Sequence, residues 1–357
     1  MRVVLITIFL FSSCLVRARI LTVSNTNLFP AQYNSFNAAG LVAQEGDTIY
    51  LAPGGGKYSV RLDASYPDTL TLIGYGYFDP KFAENGNILT TRVDRNFLVS
   101  NSSGVYHLIG LVFDNENRSN SPSGMNASRY DNLEFLRCRF VGSIYFRTLD
   151  SSPDDSVLFR DCVFTERTGT LRRDNGIEFD NGHLAKITFR NCIFSKNVFL
   201  NIEARTSRPR VLMQNCLFLG GADSRNVTVN GSGDIDFVQC VFDNRQFPSD
   251  ISRVLIGLSL LEGTNAASVS GITLTSPLTG AIDLQAPPTD GFTNTPLVDY
   301  RLVNQPPEAN NYTIGITDQF NVFGQPPIPY IQELGTPNGV LPQDSTLVIQ
   351  ITGKNQN

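Results

Sequence analysis

Five cysteines set the frame for this chain: Cys138, Cys162, Cys192, Cys216 and Cys240 follow one another at separations of 24, 30, 24 and 24 residues. Their surroundings are one motif written five times, LEFLRCRF, VLFRDCVF, ITFRNCIF, VLMQNCLF and IDFVQCVF. Each Cys has Phe two residues after it, Phe or Met three before it and an aliphatic residue five before it. A fixed period of this size is the signature of a repeat architecture, in which a unit that cannot bury its apolar face alone stacks on the next. The unit continues without its Cys at LTLIGYGY, ending at Tyr77, at YHLIGLVF, ending at Phe113, and at VSGITLT, where Ile272 takes the Cys place, which makes eight units.

Within a unit, the positions five and three before the Cys alternate as in a strand with one buried face, and the Cys and the following Phe do the same. The step between the two pairs is odd, so the chain must turn a corner there. The corner residue is Gly74, Gly110, Arg137, Asp161, Asn191, Asn215, Gln239 or Gly271, a set weighted towards residues that tolerate left-handed backbone or bond neighbouring backbone. A third short strand follows a loop of variable length, in SIYFRT, GIEFDN, VFLNIEA and NVTVNG. Three short strands per coil, stacked in parallel at about 4.8 Å, describe a β-helix rather than a sandwich or barrel. Crossovers of this kind are nearly always right-handed. About eight coils make a rod core on the order of 40 Å long.

The corner residues Asn191 and Asn215, the stacked Phe positions and the three-strand coil resemble the pectate-lyase-like right-handed parallel β-helix family over most of the chain. The resemblance implies an all-β fold, a single-stranded right-handed parallel β-helix across residues 47–287. Residues 31–46, AQYNSFNAAGLVAQEG, followed by DTIYLAPG, resemble the amphipathic helix and first strand that cap such rods, so 19–46 is expected to form an N-terminal cap. Phe36, Gly40 and Ala43 fall on one helical face there, with Asn34 as N-cap. From Pro288 the repeat is lost. The tail 288–357, with PPIPYIQEL and STLVIQITG, resembles the closing segment of secreted bacterial β-helix proteins of unassigned function. It is expected to cover the open edge of the last coil, which would otherwise invite association.

Residues 1–18, MRVVLITIFLFSSCLVRA, read as a signal peptide: a cation, an apolar run from Val3 to Phe11, then a small-residue pattern with Val16 and Ala18. The expected product is a secreted or cell-surface monomer. The apolar run is shorter than the roughly 20 residues of a spanning helix, so no transmembrane segment is expected. Cys14 could instead take a lipid anchor, but Phe11-Ser12-Ser13 matches that pattern imperfectly and a Cys discarded with the leader is the preferred reading. A net charge of -5 counts against a nucleic-acid partner.

The five repeat cysteines read as a buried ladder of small apolar side chains rather than as disulfides or a metal site. Parallel stacking keeps neighbouring Cβ atoms about 4.8 Å apart, beyond disulfide reach, and an odd number leaves one unpaired. The chain has only two histidines, His107 and His183, and no zinc-type spacing. Nucleophilic Ser-His or Cys-His catalysis is therefore poorly supported.

In the resembled family, polysaccharide binds along the sheet built from the third strands. Ile144, Phe146, Ile177, Phe179, Leu200, Ile202, Val227 and Val229 alternate inward in those strands, which leaves Tyr145 and Arg147, Glu178 and Asp180, Asn201 and Glu203, and Thr228 and Asn230 facing out. These eight form the expected ligand strip, polar with one aromatic platform. The loop with Arg172, Arg173 and Asp174 is the longest insertion among the Cys-bearing coils. A Ca²⁺-assisted lyase would need clustered carboxylates and a cationic base, for which Glu178, Asp180 and Glu203 with Arg147 or Arg172 are the candidates. A glycoside hydrolase would need two carboxylates at a set distance across adjacent strands. No family catalytic motif surrounds any of these residues. The expectation is thus a non-catalytic exported β-helix for glycan recognition or a surface scaffold, with no cofactor; the alternative is a lyase or hydrolase acting on an acidic polysaccharide.

Overall fold

The computed structural model describes most of residues 18–114 and, beyond them, 125–129, 131–141, 144–146, 155–165, 176–179, 186–194, 199–204, 210–218, 227–231, 234–238, 240–243, 254–257, 260–262, 284–285 and 299–302. These residues form an all-β parallel solenoid whose three long sheets have ten, eight and seven strands. From Thr69–Ile73 to Val227–Gly231, each turn visits the sheets in the same order. In the turns carrying Cys138, Cys162, Cys192 and Cys216, the first sheet receives Asn132–Leu136, Ser156–Arg160, Lys186–Arg190 and Arg210–Gln214. The second receives Arg139–Val141, Val163–Thr165, Ile193–Phe194 and Leu217–Phe218, and the third Ile144–Phe146, Gly176–Phe179, Phe199–Ala204 and Val227–Gly231. A helix, Phe36–Gly40, interrupts this pattern near the N-terminal end.

Pairing is residue for residue, so each repeat position stacks on its own counterpart: Leu133 on Val157, Phe135 on Phe159, Phe140 on Phe164. Two columns of phenylalanine rings result. Phe113, Phe140, Phe164 and Phe194 stack with centroids 4.9, 5.0 and 4.8 Å apart and planes within 8°. Phe135, Phe159 and Phe189 stack at 4.9 and 4.7 Å. The columns meet edge to face, as in Phe135 against Phe140 at 5.3 Å and Phe159 against Phe164 at 5.5 Å. Aromatic contacts of this geometry add about 0.5–1.5 kcal/mol per pair beyond their buried area.

The corner between the first two strands is left-handed. Arg137, Asp161, Asn191 and Asn215 have φ of 54–55°, and Gly110 has φ 63°. A non-glycine residue in this region costs about 1–2 kcal/mol, which the corner recovers by continuing the hydrogen-bond ladder through itself. The amides of Arg137, Asp161, Asn191 and Asn215 donate to Arg160, Arg190, Gln214 and Val238 on the next coil at 2.9–3.1 Å. Gly74 departs from this pattern. Its φ is not positive, and the left-handed residue of that unit is Gly76, with φ 89°. Gly74 is required for space instead, because a Cβ there would come within 2.6 Å of the Gly110 carbonyl and 2.8 Å of Thr91. Gln239 and Gly271 lie outside the described residues.

The cysteine directly after the corner supplies a further donor. The Sγ of Cys138, Cys162, Cys192, Cys216 and Cys240 donates to the carbonyls of Leu108, Phe135, Phe159, Phe189 and Met213 on the preceding coil at 3.2–3.5 Å. All five are free thiols and fully buried. Burial, the largest influence on each of the five thiols, disfavours the thiolate that reacts, and hydrogen bonds between the thiols shift Cys138, Cys192 and Cys240 up and Cys162 and Cys216 down.

At the N-terminal end, Ile20–Val23 pairs in parallel with Thr48–Leu51 at the edge of the first sheet. The buried Asp47 carboxylate accepts from the Arg19 guanidinium at 2.7 Å and from the Gln44 amide at 2.8 Å, fastening this strand to the turn that follows the helix. The helix N-cap is Ser35, not Asn34: the Ser35 hydroxyl accepts from the Ala38 amide at 3.3 Å. The reason is that Tyr33 is still held extended against Ile20–Val23, through its amide to Thr22 and its carbonyl to Ser24, so the helix begins one residue later. Phe36 and Gly40 are buried as expected, and Ala43 packs against the core beyond the helix end. A Cβ on Gly40 would overlap the Tyr66 ring, which stacks on Phe36 at 5.6 Å. Of the tail 288–357, Asp299–Leu302 is described, pairing antiparallel with Leu284–Gln285.

Two outcomes are expected. A thiol reagent should leave the five ladder cysteines unmodified in the native protein and titrate them after denaturation; rapid native labelling would contradict the ladder. Asn191→Gly should leave stability within about 0.5 kcal/mol of wild type, whereas Asn191→Val should lower it by about 1–2 kcal/mol in urea unfolding, because only the latter forces a branched side chain into the left-handed region.

Candidate functional site

A ligand-facing surface has to be sought on a sheet face that the chain leaves open, and among the described residues the second sheet offers none. Its outward row, Val112, Arg139, Val163, Ile193 and Leu217, is buried, as is the Phe row on its inner face. The Arg139 guanidinium Nε donates to Thr165 Oγ1 at 3.4 Å, and Thr165 Oγ1 donates to the Phe140 carbonyl. The sequence carried a signal for this: between Cys and Phe stand Val163, Ile193, Leu217 and Val241, giving apolar runs typical of strands buried on both faces.

The third sheet carries the expected strip, and its strand register can be followed coil by coil. Tyr145 pairs with Glu178, Glu178 with Asn201, and Asn201 with Thr228. Glu203 pairs with Asn230 two residues further along the same strands. Four of the eight residues therefore lie on one rung running along the solenoid, and two more on a neighbouring rung. Asn126, which pairs with Tyr145, extends the first rung by another coil. It escaped sequence reading because its strand, MNASR, lacks the apolar alternation that marks the other four. Glu178 and Glu203 stand on neighbouring strands but are offset by two residues rather than paired. Arg147 and Asp180 lie outside the described residues, as do Arg172, Arg173 and Asp174. Among the described residues no three His, Cys, Asp or Glu side chains come close enough to hold a metal ion.

The first sheet presents an open outward face, and it holds an ionic cluster that sequence reading missed. His107 and Glu134 occupy paired positions on adjacent coils. The His107 Nδ1 lies 2.8 Å from Glu134 Oε2, and Arg160 on the next coil lies 3.7 Å from Glu134 Oε1. The hydrogen bond between the two raises the His107 pKa and lowers that of Glu134. Thr71 is paired with His107 on its other side. Arg160 also pairs with Arg190, which is exposed along with Lys186 on the same strand. The signal available in the sequence was the repeat itself: aligning the units places His107, Glu134 and Leu158 at one position.

No protein-family model matches this chain, and no curated protein or solved structure compared with it does either. No helix among the described residues is long and apolar enough to cross a membrane.

The His107–Glu134 pair generates a pH dependence of defined sign. A raised histidine pKa contributes stability that is complete below the unfolded value near 6.5 and is lost as pH rises through the folded value. A lowered Glu134 pKa contributes stability that is present above the ordinary carboxylate range and is lost as pH falls through the folded value. Both terms are present only in mild acid. The urea midpoint should therefore fall between pH 5.5 and pH 8.5 in the wild type, and His107→Gln should remove part of that fall. With His107 and Arg160 each 42% exposed, solvent limits the effect to about 0.2–1 kcal/mol.

Proposed function

We propose that this chain is an exported, non-catalytic right-handed parallel β-helix that recognises polysaccharide along its third sheet. The observation that carries this reading is the register of that sheet, in which Asn126, Tyr145, Glu178, Asn201 and Thr228 occupy successive paired positions. A polymer aligned with the solenoid axis would meet a hydrogen-bonding residue on each coil, at the repeat of about 4.8 Å that parallel strands impose. A continuous row of amide, hydroxyl and carboxylate groups suits a polyhydroxylated chain.

In this reading the rod has about eight coils of the pectate-lyase-like kind. Residues 19–46 close its N-terminal end, residues 288–357 close the other, and residues 1–18 direct export. The mature chain acts as a monomer and needs no cofactor. Recognition is preferred over chemistry because a fold alone does not license an activity and no family catalytic motif surrounds these residues.

The test is a binding and turnover screen of the purified protein against acidic and neutral polysaccharides, with and without Ca²⁺, following unsaturated-product absorbance and reducing ends. Binding without turnover is expected, weakened at least tenfold in a combined Asn201→Ala and Thr228→Ala variant. Product formation that disappears in Glu178→Ala or Asp180→Ala would make the chain a lyase or hydrolase. Absence of both binding and turnover would leave a surface scaffold in place of recognition.

A further inference from the structure

The N-terminal end of the solenoid contains a concavity that the repeat does not explain. Between the edge strand Ile20–Val23 and the helix Phe36–Gly40 lies an open depression of about 550 Å³, lined in part by Thr26, Phe29, Gln32, Tyr33, Asn34 and Ala38. That volume falls within the range of small-molecule sites. Among the described residues, none that lines it carries a charge.

Its walls are held in place. The Phe29 ring leans on Tyr75 at 6.0 Å, and Tyr75 in turn on Tyr50 at 5.1 Å, so aromatic side chains from three segments brace one another. Tyr33 is fixed by its backbone bonds to Thr22 and Ser24. Gln32 is fixed at both ends: its amide donates to Thr22 Oγ1 at 3.0 Å, and its side-chain oxygen accepts from the Thr22 amide at 3.1 Å. This orients the Gln32 side chain through its oxygen and leaves its NH₂ as a donor. Asn34 is exposed, and among the described residues its side chain makes no hydrogen bond, since the helix is capped by Ser35. The Tyr33 hydroxyl is likewise without a hydrogen-bond partner among the described residues.

We infer that this depression is a saccharide-binding site, separate from the third-sheet strip, that takes a neutral sugar unit. The Phe29 ring, braced by Tyr75, and the Tyr33 ring, packed against the core, offer apolar faces to the C–H side of a pyranose, while the Gln32 and Asn34 amides and the Tyr33 hydroxyl match its hydroxyl groups as donors and acceptors. With no lining cation among the described residues, a uronate or sulfated sugar is disfavoured, because its charge would lose hydration without gaining a partner. An open rim admits a unit within or at the end of a longer chain. The inference does not depend on the third-sheet reading.

The experiment is saturation-transfer NMR and calorimetry on the full chain, using neutral cello-, xylo- and malto-oligosaccharides beside oligogalacturonate. At least one neutral series should bind, losing at least tenfold in affinity in Tyr33→Ala and in Asn34→Ala. Asn34 is exposed and outside the helix, so its variant keeps the test valid if Tyr33→Ala fails to fold, as judged by circular dichroism. Failure of every neutral series to bind would overturn the site, as would neutral binding that survives Asn34→Ala in a folded protein. Loss of neutral binding only in the third-sheet variant would also overturn it while leaving polysaccharide recognition standing.

Discussion

Everything in this molecule depends on parallel strands that pair residue for residue from one coil to the next. Such pairing obliges each side chain to tolerate a copy of its own position about 4.8 Å above and below. Rings satisfy that condition by stacking, and Phe135, Phe159 and Phe189 do so with planes within 9°. Thiols satisfy it because they are small and each can donate to a carbonyl of the coil before. Charges satisfy it poorly, since like charges in directly opposed positions repel. The open face of the first sheet shows both outcomes: His107, Glu134 and Arg160 alternate in sign along the coils, whereas Arg160 and Arg190 oppose each other where solvent can screen them.

Most of the solenoid was legible because its constraint is periodic. The Cys and Phe positions mark the inner faces of two strands and the odd step between them marks the corner, and Arg137, Asp161, Asn191 and Asn215 are left-handed there. What could not be read was local and not repeated. Gly74 has the corner position but serves to make room for the Gly110 carbonyl, a close approach between coils that no single-unit pattern encodes. Ser35 displaced Asn34 as the helix cap because a backbone pairing of Tyr33, distant in sequence from the strand it joins, delays the helix. The His107–Glu134 pair was hidden because its partners come from different units, one lacking the Cys that defines the alignment.

The two proposed sites divide along the same line. The third-sheet rung recurs from coil to coil, whereas the depression near Tyr33 occurs once, at the N-terminal end. If both bind as proposed, the rung serves a ligand that repeats and the depression one that is read once, and the two can change separately because coils transmit only nearest-neighbour contacts.

The coil from Cys162 to Cys192 has 30 residues where its neighbours have 24, yet Val163 still pairs with Ile193 and Phe164 still stacks on Phe194 at 4.8 Å. Register is thus enforced at the corner and not by the length of chain between corners. A solenoid governed in this way can accept new segments between coils with no change to its core, so its loops are free to diverge faster than its strands. The corner acts as a reset point, confining each insertion to the turn in which it arises.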